Sequence, residues 1–193
     1  MPTALEFAQQ LREKFGELVS PSVEFRGEVS VLISDPQRIA EVCRYAKVER
    51  GFDYLTDLTG VDNYGEDPRW QIVYELFGLT HGCHLRISTR VSEAVSELPT
   101  VSGVWRAADW HEREVYDMLG IRFAGHPDLR RILMWEGYPY FPLRKDFPLG
   151  GKPSDVPEVA FTRRASLEGG PFVTAPGVRE AVDREPRVRV SEE

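Results

Sequence analysis

Apolar residues recur at two spacings along this chain, and the switches between them mark out its elements. Leu5, Ala8, Leu11 and Phe15 share roughly one helical face, Thr3 and Glu6 read as a capping box before them, and Gly16 is placed to stop the helix. Residues 22–26 and 28–33 read as two short strands about Gly27, with Val29, Val31 and Ile33 alternating. Asp35 and Pro36 open a second helix whose apolar stripe is Ile39, Val42, Cys43 and Ala46. Three strand-like runs follow at 51–59, 69–77 and 83–91. In the third, Cys83, Leu85, Ile87, Thr89 and Val91 alternate with His84, Arg86, Ser88 and Arg90, so one face is wet. The connections at 62–65 and 78–82 are short enough for an antiparallel meander. Asp109 with Glu112 predicts another capping box and Gly120 a helix stop, which places a helix over 110–119.

Helices, then strands, then a helix predict an α+β fold: a mainly antiparallel mixed sheet with helices packed on one face, plus an extended C-terminal arm. The globular part spans 1–150. Residues 151–193 carry recurrent Pro and Gly and keep neither period, yet Val156, Val159, Phe161, Leu167, Phe172 and Val173 give them more apolar anchors than a solvating linker needs. The expectation is an arm that docks on a partner subunit. Gly150-Gly151 lacks the strand–turn–helix setting of a phosphate loop.

Composition narrows the function classes. A chain of 193 residues, 41% hydrophobic and 28% charged, buries a sizeable core without staples. Its net charge of −7 argues against electrostatic binding of nucleic acid or anionic lipid. No apolar run approaches the roughly 20 residues of a membrane span, and the N-terminus has no signal-peptide pattern, so membrane contact is expected only through partners. Two cysteines, Cys43 and Cys83, are too few for a disulfide scaffold or a four-thiolate iron–sulfur cluster.

The densest chemistry lies in 110–120, where His111, Glu112, Arg113, Glu114 and Asp117 sit among large apolar residues. An acid/base cluster is one reading. On a helix, however, Glu112 and Glu114 stand roughly 200° apart, while Arg113 lies four residues from both Asp109 and Asp117, the spacing of an ion-pair ladder. A structural or interface role is preferred, with no catalytic residue assigned. His81, Cys83 and His84 resemble a fragment of a metal site that needs Cys43 or His126 to complete it; an edge strand with polar exposed residues is the preferred reading. The aromatic loop 135–141 is expected either to bury against a partner or to fold back on its own sheet. Arg144, Lys145 and Asp146, bracketed by prolines, read as a salt-bridged clamp on an extended segment, with a solvated turn as the alternative.

The stretch Glu112-Arg113-Glu114, Asp117-Met118-Leu119, His126 and Arg130-Arg131-Ile132-Leu133 resembles the C-subunit family of respiratory complex I, the proton-translocating NADH:quinone oxidoreductase (NADH dehydrogenase). Residues 142–149, 52–62 and 98–101 also fit the family's pattern, so the resemblance covers about 51–150. Residues 137–141 depart from it, and no role of the family's histidine there is carried over. The resemblance implies a non-catalytic subunit of the hydrophilic arm that holds no cofactor. The expected partners are other hydrophilic-arm subunits, especially the quinone-cavity subunit and the adjacent iron–sulfur subunits; flavin and clusters would sit in partners, with this chain peripheral on the cytoplasmic side of the inner membrane. An equivalent subunit of a related membrane-bound hydrogenase or other donor:quinone complex is the alternative; a free-standing acid/base enzyme is a third reading. The expected partner-interface residues are Glu112, Arg113, Glu114, Asp117, His126, Arg130, Arg131, Arg144, Lys145 and Asp146.

Overall fold

The first helix, α1 (Ala4–Phe15), forms where the sequence places it. Glu6 N–H donates to Thr3 Oγ1 at 3.3 Å and Thr3 N–H donates to the Glu6 carboxylate at 3.0 Å, which closes the capping box. It buries Phe7, Ala8 and Leu11, while Leu5 stays 43% exposed. The computed structural model describes residues 2–148; the arm expected over 151–193 lies outside them.

Strands β1 (Val23–Phe25) and β2 (Glu28–Ile33) form an antiparallel hairpin, followed by a short 3-10 turn and α2 (Ile39–Val48). Then β3 (Tyr54–Asp62), β4 (Trp70–Gly78) and β5 (Cys83–Val91) run as the expected antiparallel meander. The chain closes its sheet by pairing β5 with β2 in parallel, from Ser30 opposite Arg86 to Ile33 opposite Thr89. The order is therefore β1-β2-β5-β4-β3. This makes β5 the central strand and corrects the edge-strand expectation for residues 83–91. Its apolar face explains the position: Leu85, Ile87 and Val91 lie beside Leu76, Tyr74 and Trp70 of β4, all buried, and both neighbours are needed to satisfy the backbone there.

A second, two-stranded sheet pairs β6 (Glu97–Pro99) in parallel with β7 (Arg122–Ala124). Between them runs α3 (Ala108–Leu119). It starts two residues earlier than the sequence predicts, and the Asp109–Glu112 capping box does not form. Ala107 is the cap residue and its methyl side chain can make no cap bond, while Glu112, the expected partner in the box, is turned into the interior. Gly120 ends the helix as expected, at φ +80°, with its N–H donated to Tyr116 O at 2.9 Å.

α3 lies directly on β3. A methyl group at Gly60 would sit 2.5 Å from Leu119 Cδ1 and 3.3 Å from Val115 Cγ1, so the approach depends on a residue without a Cβ. The core is one continuous cluster running from Phe7 and Leu11 through the sheet to Val115, Leu119 and Ile121. Past β7 the chain to 148 has turns but no further helix or strand.

Candidate functional site

The charged signature points inward, and most of it is consumed by the chain's own backbone. Glu112 has no exposed surface. Its carboxylate accepts the Val101 N–H at 2.6 Å and the Thr100 hydroxyl at 2.5 Å, which ties α3 to the turn after β6. Burial pushes this carboxyl up to about 7; the two donors oppose that rise, and nearby Asp109 adds to it. His126, whose side chain is fully buried, stands 3.9 Å from Glu112. Its Nδ1 accepts the Asp128 N–H at 3.0 Å, so the proton belongs on Nε2, which donates to Asp109 O at 3.1 Å. Both ring nitrogens are thus engaged with the imidazole neutral. Glu112 gains no compensating cation.

One turn later Asp117, also without exposure, gathers the backbone of the following segment. One carboxylate oxygen accepts the N–H groups of Ile132, Leu133 and Met134 at 3.0, 2.7 and 2.7 Å; the other takes Arg131 at 2.5 Å. Burial pushes this carboxyl up. The Met134 N–H, the Arg131 guanidinium and the other two amides outweigh it and hold the group below the usual carboxylate range. Arg131 also donates to Tyr140 O at 3.1 Å. Arg113 does not form the expected ladder with Asp109 and Asp117: it donates to the carbonyls of Arg130 and Arg131 at 3.3 and 3.4 Å and stacks against Trp110. The reason is that Asp117 is already committed to the 131–134 backbone.

A third network fixes the proline-bracketed segment. Arg69, 4% exposed, grips both oxygens of Asp62 at 2.8 Å and reaches Asp146 at 2.9 Å and Glu93 at 2.8 Å. Lys145 N–H donates to Asp62 at 2.8 Å. The guanidinium holds the Asp62 and Asp146 carboxyls below their usual range and is itself held above its own. Arg144 donates to Leu119 O at 2.6 Å, capping the end of α3, and packs over Trp70 and Phe141. The clamp reading thus acquires its partners. Asp146 pairs with Arg69, 77 residues away, and Lys145 contributes its backbone while its residue stays exposed.

Of the ten expected interface residues, Glu112, Arg113 and Asp117 are buried and the His126 side chain is enclosed. Glu114, Arg130, Lys145 and Asp146 are exposed, and Arg131 and Arg144 are half-buried. Among the described residues the Arg130 side chain makes only an exposed pair with Asp128 at 2.8 Å. The aromatic loop folds back: Tyr138 is buried and its ring packs on Trp135 at 4.6 Å. Large apolar groups remain outside it, with Trp110 62%, Leu133 61% and Leu143 61% exposed. At the other end of the sheet His81 Nδ1 meets Cys83 Sγ at 3.0 Å, while its ring packs between Phe7 and Phe52; His84 lies against Phe77. No group of three or more His, Cys, Asp or Glu side chains suited to a metal occurs among the described residues. Asp62 and Arg69 escaped the sequence reading as site residues. Their partners are remote in sequence, and only the place of Asp62 at the end of a family-like stretch hinted at a role.

This arrangement defines a class: an α+β module whose signature charges staple an irregular segment onto the sheet, and whose outer surface keeps apolar and charged groups exposed. Residues 32–153 match the model of the respiratory-chain NADH dehydrogenase 30 kDa subunit. The chain is 49% identical over 143 residues to the NADH-quinone oxidoreductase C-subunit 2 of Rhizobium etli, covering 73% of this chain and 75% of that protein. It is 45% identical to the NADH-quinone oxidoreductase C-subunit of Geotalea uraniireducens, covering 74% and 86%. Among solved structures, the trypsin-resistant fragment of Nqo5 superposes with a TM-score of 0.58 at 33% identity, covering 66% of this chain and 100% of that one. A chain of the membrane-bound sulfane sulfur reductase, an archaeal respiratory membrane complex, gives 0.64 at 25% identity, covering 75% and 85%. The chain belongs to the respiratory-chain NADH dehydrogenase 30 kDa subunit family, the C-subunit family of NADH-quinone oxidoreductase.

Proposed function

We propose that this chain is a non-catalytic structural and assembly subunit of the hydrophilic arm of an NADH:quinone oxidoreductase. It supports electron transfer from NADH to quinone, coupled to proton translocation, by holding neighbouring subunits in place. The observation that carries the reading is where the signature goes. Asp117 and Arg69 spend their hydrogen bonds on the chain's own backbone and side chains and fix residues 131–146 as a shaped surface, while Glu112 holds the turn at Thr100 and Val101. Of the carboxylates that resemble an acid/base cluster, Glu112 and Asp117 are thus committed to structure, and Glu114 is exposed. His111 pairs with Asp57 of β3 at 3.3 Å.

The partners this reading calls for are the quinone-cavity subunit and the adjacent iron–sulfur subunits, with flavin and clusters housed there. No helix among the described residues is long and apolar enough to cross a membrane. Attachment to the cytoplasmic face of the inner membrane would come through those partners. Exposed Glu114, Arg130, Lys145, Leu133 and Leu143 form the contact surface in this reading. Glu112, Arg113, Asp117 and His126 serve it from behind, as positioning residues.

A second reading has a specific observation in its favour, the resemblance to a chain of the archaeal sulfane sulfur reductase. There the same module would serve a complex with a different electron donor. Gentle purification from membranes through a tag on this chain separates the two. Recovery with flavin- and cluster-bearing subunits and NADH:quinone reductase activity supports the first reading; a complex that reduces quinone only from another donor supports the second. A lone monomer with turnover of its own overturns both.

A further inference from the structure

At the N-terminal end of α3, beside the start of the stapled segment at Gly125 and Pro127, lies a cleft of about 690 Å³. It is lined by Arg44 of α2, Thr100, Ser102 and Arg106 of the loop leading into α3, and Asp109 and Trp110 of its first turn. Arg44 and Arg106 are both exposed, and among the described residues neither pairs with an acid. The one carboxylate of the lining, Asp109, faces His126 at 3.7 Å. Trp110 offers a ring that is 62% exposed, braced behind by the Arg113 guanidinium at 5.1 Å.

The cleft is also preformed. Its Thr100–Ser102 wall is held by Glu112 through the Thr100 hydroxyl and the Val101 N–H, and the two hydroxyls bond each other at 2.8 Å. Lys47 reaches across from α2 to Val104 O at 2.5 Å and joins the two sides. A rigid wall, two unspent guanidinium groups and an exposed indole on a protein of net charge −7 form a local basic site with an aromatic anchor. Exposed arginine and tryptophan in a fixed frame are the residue types that dominate binding at protein seams, and preorganisation lowers the entropy lost on docking.

We infer that this cleft receives an acidic stretch of polypeptide from a neighbouring subunit. An Asp or Glu carboxylate lies between Arg44 and Arg106, and an adjacent apolar side chain rests on Trp110. The inference rests on the proposal that this chain works inside a larger complex, and deepens it by naming the chemistry of one partner segment.

The test uses the full chain in its assembled complex. R106K and R44K keep the positive charge and supply an amine that a water-soluble carbodiimide joins to any carboxylate in contact. The expected result is a new isopeptide link, absent in the wild type, from the substituted position to an Asp or Glu of another subunit beside an apolar residue. In the same complex, the double reversal R44E/R106E should lower recovery of that subunit roughly tenfold or more, since like charges now face each other. Reversing the linked partner acid to Lys should restore it. A complex that assembles but gives no new link, a link only to Asp109, or one only to this chain's own C-terminal acids overturns the cleft inference and leaves the complex reading standing. A tagged chain that brings no other subunit from membranes overturns both.

Discussion

Glu112→Gln isolates the energetic consequence of burying a carboxylate with no cation beside it. The carboxyl stands at about 7 in the fold against an ordinary 4.5, a difference that corresponds to about 3 kcal/mol between its two protonation states. Because the folded form binds the proton more tightly, the stabilisation is complete below about pH 4.5 and is lost as pH rises through about 7. Between pH 5 and pH 8 the wild-type chain should lose roughly 2.5 kcal/mol from this group alone. In the Gln variant the amide oxygen still accepts from Val101 N–H, and nothing ionises. Urea unfolding of the full chain at several pH values, wild type against E112Q, cancels the contributions of all other groups. The variant should gain on the wild type by about 2–3 kcal/mol on going from pH 5 to pH 8. A difference that stays flat across that range would refute the reasoning. It would mean that Glu112 ionises at an ordinary pH, and so that water or a cation reaches it.

Arg69→Ala leaves Asp62 buried beside stranded acceptors and should cost about 3–5 kcal/mol in urea unfolding, whereas Asp146→Asn, at the exposed end of the same network, should cost well under half of that. Gly60→Ala drives a methyl group into Leu119 and should cost about 1–3 kcal/mol, read by thermal melts and by loss of protection of the α3 amides to hydrogen exchange. Asp117→Asn removes a carboxyl whose acidity the fold enhances. The stability it provides is present above its ordinary value of 3.8 and is lost as pH falls through its lowered value in the fold, so the variant should be weaker at neutral pH and draw closer to wild type as the carboxyl is protonated in acid. Leu133→Ser and Arg130→Ala touch exposed groups, so melts of the isolated chain should barely move while recovery of the assembled complex falls. Equal losses in both assays would contradict an interface role.

Periodicity carried the elements whose faces are simple. The run 83–91 matches the bounds of β5, although Ser88, expected on the wet face, is buried under β2, where its hydroxyl donates to Val31 O, and the stripe Ile39, Val42, Cys43 and Ala46 is the buried face of α2. Periodicity carried no information about neighbours in the sheet. The parallel pairing of β2 with β5 joins residues 56 positions apart, and nothing local in either strand announces it. β6 and β7 were invisible because three residues are too few to show a period. The site was legible as a set of residues and illegible as a set of contacts. Local rules offered Asp109 as a capping partner and as the end of an ion-pair ladder. Those bonds lost to Val101 N–H and the 132–134 amides, because buried backbone donors without acceptors cost more than exposed ion pairs contribute.

That competition explains why so charged a sequence sits at the centre of an irregular region. Residues 125–147 have no ladder of their own, so their amides need acceptors from elsewhere, and a segment of that length has too little apolar surface to order itself. Asp117 supplies acceptors for three consecutive amides, Asp62 takes a fourth, and Arg113, Arg131 and Arg144 donate to five carbonyls between them, those of Arg130, Arg131, Asp117, Tyr140 and Leu119. Side chains on α3 and β3 thereby replace missing secondary structure. A surface built in this way is shaped by contacts that no partner needs to provide, which makes it ready for docking before any partner arrives.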